Sequence, residues 1–227
     1  FAKKYNPDFH VCYNKGHLGY LDKPVKEDYS YFSFESLPGV EWGYLDFPVS
    51  AKYMRNFGKE CLGLTSRFHT EWGDFHAFRN EAAMEYEVFS MLAHGCKCTI
   101  GDQMDYWGKL NTDMYKQIGR VYKSVEEKEP WCENAKPILE IGVFTAEEFY
   151  ATGVAGHIPG ASEGVARLLM ELGYQFDFID STLDFDKYRL LILPDVIPVD
   201  EELRDKLSTY LKKGGRLLVS YQSGLDR

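Results

Sequence analysis

The stretch Cys61-Leu62-Gly63-Leu64-Thr65-Ser66-Arg67-Phe68-His69-Thr70-Glu71-Trp72-Gly73-Asp74-Phe75-His76 runs from an apolar segment straight into a loop dense in polar and aromatic groups. A buried strand that delivers its end to a polar pocket has this pattern. In α/β barrels the chemistry sits on that C-terminal face. The same order recurs on both sides. Tyr29-Ser30-Tyr31-Phe32-Ser33-Phe34 ends on Glu35, and Cys96-Lys97-Cys98-Thr99-Ile100 ends on Gly101-Asp102-Gln103. Between the last two, Asn80 to His94 carries Ala82, Ala83, Tyr86, Phe89, Met91 and Leu92 at helical spacing and stops at Gly95. Glycine just past the last turn is a normal stop signal. Strand, polar loop and helix in repeated order predict a parallel sheet covered by helices.

Working outward, a helix is expected from Thr112 to Glu127, with Met114, Ile118, Val121, Tyr122 and Val125 on one stripe. Lys128-Glu129-Pro130-Trp131-Cys132-Glu133-Asn134 then breaks the periodicity, which divides the chain into units 1–134 and 135–227. The second unit predicts a strand from Pro137 to Phe144, a helix from Ser162 to Leu172 stopped by Gly173, and strands from Tyr174 to Ile179 and Tyr188 to Leu193. A helix from Glu201 to Lys213 and a strand from Arg216 to Ser220 follow. This is the start of a doubly wound, flavodoxin-like sheet. With Phe9 to Tyr13 as a further strand, the first unit has four strands, and a closed barrel takes eight and about 250 residues. The expectation is the C-terminal half of a (β/α)8 TIM barrel followed by the first half of a flavodoxin-like domain, the chain being an internal piece.

Composition narrows the function. Hydrophobic residues make up 44% of the 227, enough for a sizeable core, and aromatic residues make up 15%, a share that suits carbohydrate binding. A net charge of −9 leaves no basic stripe to displace counterions, so nucleic acid is not an expected partner. No apolar run approaches the roughly 20 residues needed to span a bilayer. The start on Phe1 carries no signal-like segment, which leaves the compartment, cytoplasmic or periplasmic, open. Five cysteines without CxxC pairs read as free thiols, and no Cys follows Cys132, which excludes thiol chemistry from the second unit. Gly153, Gly156 and Gly160 do not form a phosphate-binding fingerprint. His69, Asp74 and His76 fit no zinc spacing, so neither a metal nor a cofactor is expected.

Glu35-Ser36-Leu37-Pro38, Thr65 to His69 with Trp72-Gly73-Asp74-Phe75, and Ile100 to Gln103 resemble bacterial barrel glycoside hydrolases, and the resemblance implies a pair of strand-end carboxylates, one to protonate the leaving group and one to attack or activate water. Glu35 is the first candidate, as acid/base, because its strand is apolar right up to it. A carboxyl with apolar walls favours its neutral form, which a general acid requires. Asp102 is the second candidate. It is either a catalytic carboxylate or an acid that orients Arg67. Trp72 offers a flat face for a sugar ring, and Arg67, His69 and Asp74 offer directional hydrogen bonds to hydroxyls. His17, at the end of the first strand, is a further candidate for substrate contact.

Glu35-Ser36-Leu37-Pro38 with Trp42-Gly43-Tyr44, Thr65 to His69 with Trp72-Gly73-Asp74-Phe75, Ile100 to Gln103, Ile118 to Tyr122 and Glu129-Pro130-Trp131 resemble a family of bacterial barrel glycoside hydrolases. Those enzymes are related to α-L-fucosidases and to β-galactosidases with a trimerisation domain. The segment from Pro137 is similar to that trimerisation domain, a class I glutamine amidotransferase-like fold. The resemblance implies an exo-acting, retaining glycosidase on terminal fucose or galactose, and a homo-oligomer, trimeric or higher. It implies Trp42 as a substrate contact. It also implies an Asp nucleophile on the fourth barrel strand, which precedes Phe1 if Phe9 to Tyr13 is the fifth. The isolated piece is then expected to be inactive. The alternative is a non-catalytic carbohydrate-binding or assembly module on the same scaffold.

Overall fold

Asparagine and aspartate side chains start the main helices. Asn80 Oδ1 accepts from the amides of Ala82 and Ala83, Asn111 Oδ1 from Asp113 and Met114, and Asp200 Oδ1 from Leu203. These bonds satisfy donors that a first helical turn leaves open. Gly95 and Gly173 end two of the helices at φ of 76° and 74°, a left-handed position without penalty for glycine. The structure is a computed structural model that describes residues 2–39, 42–150 and 158–225. Its elements are, in order, α1 (Ala2–Tyr5), β1 (Phe32–Glu35), α2 (Asp46–Met54), β2 (Cys61–Ser66), α3 (Glu81–Ala93), β3 (Lys97–Gly101), α4 (Thr112–Glu126) and α5 (Glu129–Cys132). Then come β4 (Ile141–Phe144), α6 (Gly160–Glu171), β5 (Phe176–Ile179), β6 (Leu190–Leu193), α7 (Glu201–Lys212) and β7 (Arg216–Val219). Gly153 and Gly156 lie outside the described residues. Among the described residues no helix is long and apolar enough to cross a membrane.

The strands form two sheets, both wholly parallel, with orders β1-β2-β3 and β5-β4-β6-β7. The expected α/β architecture is therefore present. The register Glu35↔Leu64 and Ser66↔Gly101 puts the C-terminal ends of β1, β2 and β3 at one edge. The stripe of α4 buries Met114, Ile118, Val121 and Val125 against Met84 and Val88 of α3. Each such side chain contributes roughly 1.5–3 kcal/mol.

Three expectations change. Phe9 to Tyr13 is not a strand. Its backbone meets Ser30 at Val11, and only Lys15 bridges to Phe34. Phe9 and Tyr13 are exposed. The strand expected from Pro137 begins only at Ile141. Helix α2 was not foreseen, and all nine of its residues are buried. It is wedged between the two sheets, and no polar face remains to create a helical period. Phe47 of α2 and Met91 of α3 reach β2 because Gly63 has no side chain; a Cβ there would sit 2.6 Å from both.

The two sheets share one hydrophobic core. Phe32, Phe34, Phe47 and Met54 from the first pack in one cluster with Val143, Phe176, Phe178 and Ile192 from the second. Around that core, buried acids of the second sheet are met by donors from the first. Asp177 accepts from Arg55 Nε at 2.7 Å and from Tyr188 at 3.0 Å. Asp180, fully buried, accepts from Tyr53 at 2.7 Å and Lys23 at 2.8 Å. Glu147 pairs with His17 Nε2 at 2.8 Å and accepts from the amide of Tyr20 at 3.1 Å. β5 is an edge strand, and its outward carbonyls are also occupied. Lys52 and Arg55 donate to Phe176 O, and Asn56 donates to Phe178 O. An edge covered in this way cannot template further pairing.

Arg55→Met should therefore cost about 3–5 kcal/mol in urea denaturation, because it strands a buried carboxylate rather than removing a pair. A loss under 1 kcal/mol would mean that Asp177 is solvated.

His17 gives a pH test. Burial pushes its pKa down, but the Glu147 carboxylate, with Asp46 and Asp22, outweighs this and leaves it raised above 6.5. The stabilisation should be complete below the unfolded value near 6.5 and fade as pH rises through the raised folded value. His17→Phe should abolish that alkaline decline; a decline of unchanged size would contradict the assignment.

Candidate active site

Side chains alternate along a strand, so β1 has two faces. Phe32, Phe34 and Ser36 turn toward the helices and are buried, while Ser33 and Glu35 take the opposite face. Register places Leu62, Leu64 and Ser66 of β2 and Thr99 and Gly101 of β3 on that same face. Trp72 lies over it. Its indole Nε1 donates to Glu35 Oε2 at 3.4 Å, and its ring rests on Gly101, where a Cβ would stand 2.4 Å from Trp72 Cη2. A carboxylate and a half-buried aromatic ring thus meet at the strand ends, on the face away from the helices.

Arg67 is the second anchor. It is 2% exposed, and its Nε donates to Asp102 Oδ1 at 2.5 Å. Its backbone amide donates to Gly101 O, so the loop after β2 is tied to β3 by both main chain and side chain. The guanidinium stacks 4.2 Å from the centre of the Phe68 ring and 5.4 Å from that of Phe75. Asp102 also accepts from the amide of Gln103, and burial together with the nearby Asp102 carboxylate pushes the Tyr115 hydroxyl up in pKa. Arg67 Nη1 and Ser66 Oγ are buried and have no hydrogen-bond partner among the described residues. Unpaired buried donors of this kind cost free energy unless a ligand or water meets them.

Beneath the loop, Arg79 donates to Ser66 O and Phe68 O at 3.3 Å each and pairs with Glu87 of α3. Thr65 Oγ1 donates to Glu87 at 2.5 Å. Burial pushes the Glu87 carboxyl up, against the pull of Arg79 and Thr65. This pair fixes the backbone from which Arg67 and Trp72 project.

The structure brings together Glu35, Arg67, Trp72 and Asp102 at one sheet edge. Asp74 sits in the same loop, half-buried, and accepts from Thr70 at 3.2 Å. His69 is exposed on that loop. Trp42 is half-buried in the connection from β1 to α2. His17 does not join them. It is buried against the second sheet, with Ser50 Oγ 3.0 Å from its Nδ1 and Glu147 on its other nitrogen. That position gives it a contact with the second sheet in place of a contact with the strand-end residues. Phe68, Phe75, Arg79, Glu87 and Tyr115 were not read as site residues. The signal available was Arg79 and Glu87, one on each side of the Asn80 cap.

Residues 167–226 match the β-galactosidase trimerisation domain family. Over 177 residues the chain is 22% identical to β-galactosidase LacA of Lactobacillus acidophilus, which covers 68% of this chain and 26% of that protein. Among solved structures, α-L-fucosidase isoenzyme 2 from Paenibacillus thiaminolyticus superposes with a TM-score of 0.91 at 36% identity, over 99% of this chain and 34% of the other. The cold-adapted β-galactosidase from Rahnella sp. R3 shares the fold, with a TM-score of 0.74 at 17% identity, over 96% of this chain and 37% of the other. The chain thus spans roughly a third of the length of its relatives. Its resemblance to glycoside hydrolases that carry a trimerisation domain is borne out, and its relatives are glycosidases.

Gly101→Ala should displace the Trp72 ring and its bond to Glu35. Overpacking of this kind costs typically about 1–3 kcal/mol. The expected readout is a changed near-ultraviolet circular dichroism signal and indole emission with the far-ultraviolet signal kept. Unchanged indole signals would mean that Trp72 does not rest on Gly101.

Proposed function

We propose that the chain is a segment of a retaining, exo-acting glycoside hydrolase that releases a terminal L-fucosyl or D-galactosyl unit, with Glu35 as the acid/base. The observation that carries this reading is Glu35 at the end of a parallel strand, bonded to the indole of Trp72 on the sheet face opposite the helices. We take that face as the interior of a (β/α)8 barrel of which β1, β2 and β3 form part, spanning residues 1–134. The second sheet, with its β5-β4-β6-β7 order, is taken as the beginning of a flavodoxin-like trimerisation domain over residues 135–227. The identity of 36% to a fucosidase against 22% to a β-galactosidase favours a fucosyl substrate.

In this reading Glu35 protonates the glycosidic oxygen as the bond breaks and then removes a proton from the incoming water. Trp72 supports the sugar ring, Arg67 holds the loop that presents it, and His69, Asp74 and Trp42 flank the loop side. Asp102, engaged by Arg67, is taken as the acid that orients this guanidinium rather than as the second carboxylate of the pair. The nucleophile comes from another strand of the barrel. The match to the trimerisation domain supports assembly into a homo-oligomer.

In the longest natural chain that contains these residues, hydrolysis of aryl α-L-fucosides and aryl β-D-galactosides should be measurable. Glu35→Gln should lower kcat/KM by about 10²–10⁴-fold for poor leaving groups. The loss should be smaller for good leaving groups, which need less protonation. Equal activity of Glu35→Gln and wild type on every substrate would remove Glu35 from the mechanism. Light scattering should find an oligomer, and a monomer at working concentration would count against the assembly reading alone.

A further inference from the structure

β1 ends on Glu35 and stands first in the order of its sheet, so β2 supports one of its two sides. On the other side Lys15 bridges to Phe34, and the Lys15 carbonyl accepts from the Glu35 amide at 3.0 Å. Lys15 opens a short segment that folds back on itself. Its Nζ donates to Asp22 Oδ1 at 2.6 Å, and Asp22 Oδ2 accepts from the Gly19 amide at 3.1 Å. Leu18, fully buried, packs this segment into the cluster that holds Phe34. The outer side of the Glu35 backbone thus rests on a closed loop of chain, Lys15 to Asp22.

That loop is fastened to the second sheet. Glu147, in the turn after β4, uses both carboxylate oxygens on it: Oε1 pairs with His17 Nε2 at 2.8 Å, and Oε2 accepts from the amide of Tyr20 at 3.1 Å. Ser50 of α2 lies 3.0 Å from the other ring nitrogen of His17. The fit is close. A Cβ on Gly19 would overlap Glu147 Oε2 and stand 2.7 Å from His17 Nε2. Gly19 is extended, with φ of −142° and ψ of −159°, a conformation open to any residue. The approach of Glu147, rather than the backbone, is what requires glycine there. A buried carboxylate bonded at both oxygens is costly to displace, so the loop takes its position from Glu147.

We propose that Glu147 is a positioning residue for Glu35: through the loop Lys15 to Asp22 it sets the backbone that carries the acid/base, so the second unit takes part in catalysis. This rests on the glycosidase reading above. Proton transfer to the glycosidic oxygen needs the carboxyl within hydrogen-bond reach of it, and small misplacements are costly in rate. Freeing the loop from Glu147 loosens the Lys15 side of β1 and leaves the β2 side, where the Ser36 amide donates to Leu64 O at 2.8 Å, as it was.

The test uses the longest natural chain that contains these residues, with Gly19→Ala as a wedge that removes no polar group and Glu147→Ala as the deletion. Hydrogen exchange is read by mass spectrometry with electron-transfer fragmentation. In both variants the Glu35 amide should exchange about tenfold faster, while the Ser36 amide keeps its wild-type rate. Wild-type rates at both amides, or a joint rise at both, overturn the proposal. In the same variants kcat/KM for an alkyl glycoside, whose leaving group needs a proton, should fall about tenfold. The value for the dinitrophenyl glycoside of the same sugar, whose leaving group needs none, should be kept. An unchanged ratio of the two values, with the Glu35 amide loosened, overturns the positioning role. Adding Gly19→Ala to Glu147→Ala should cause no further loss, since the overlap is gone, and a further loss would place the effect of the wedge elsewhere and overturn the link. If wild type cleaves neither glycoside while the Glu35 amide alone responds, the hydrolase reading falls and the tie between Glu147 and Glu35 stands.

Discussion

The arrangement depends on three carboxylates of the second sheet that are taken out of water. Glu147 follows β4, Asp177 lies within β5 and Asp180 follows it, and none is more than 4% exposed. A buried charge is tolerable only when paired and hydrogen-bonded. The needed groups come from the first unit: His17 and the Tyr20 amide for Glu147, Arg55 for Asp177, and Lys23 with Tyr53 for Asp180. If the sheets separated, these acids would lose those donors and the shared apolar core would open. Hydrophobic burial supplies the bulk attraction, and the acids select one relative placement of the two sheets.

That placement reaches the candidate site through a short path. The amide of Glu35 donates to Lys15 O at 3.0 Å, and two residues later His17 is bonded to Glu147. The backbone that carries Glu35 is thus held by a segment anchored in the other sheet. On the opposite side, the loop with Trp72 and Arg67 is fixed by Arg79 and Glu87 and by the stop of the indole against Gly101. Two independent anchors, one across the interface and one local, set the approach of indole to carboxylate.

How far the sequence revealed this depended on what each signal measures. α3, α4, α6 and α7 were legible because one face of each meets solvent, so a stripe and terminal signals survive in the residues. α2 was not legible, since burial on every side erases the period and Pro48 in its first turn reads as a break. The strand ends at Glu35, Ser66 and Gly101 were legible because polar residues follow apolar runs directly. The contact between Asp102 and Arg67 was not legible, since no spacing encodes it. His17 was placed at the substrate because its sequence neighbours end an extended segment. Its actual partner, Glu147, is 130 residues away.

The central claim is that the two sheets behave as one body because of the shared core and the satisfied acids. Scanning calorimetry of the chain at pH 6, where His17 is charged, tests it most directly. The account predicts a single transition whose calorimetric and van't Hoff enthalpies agree. Two resolved transitions, one for each sheet, would contradict it.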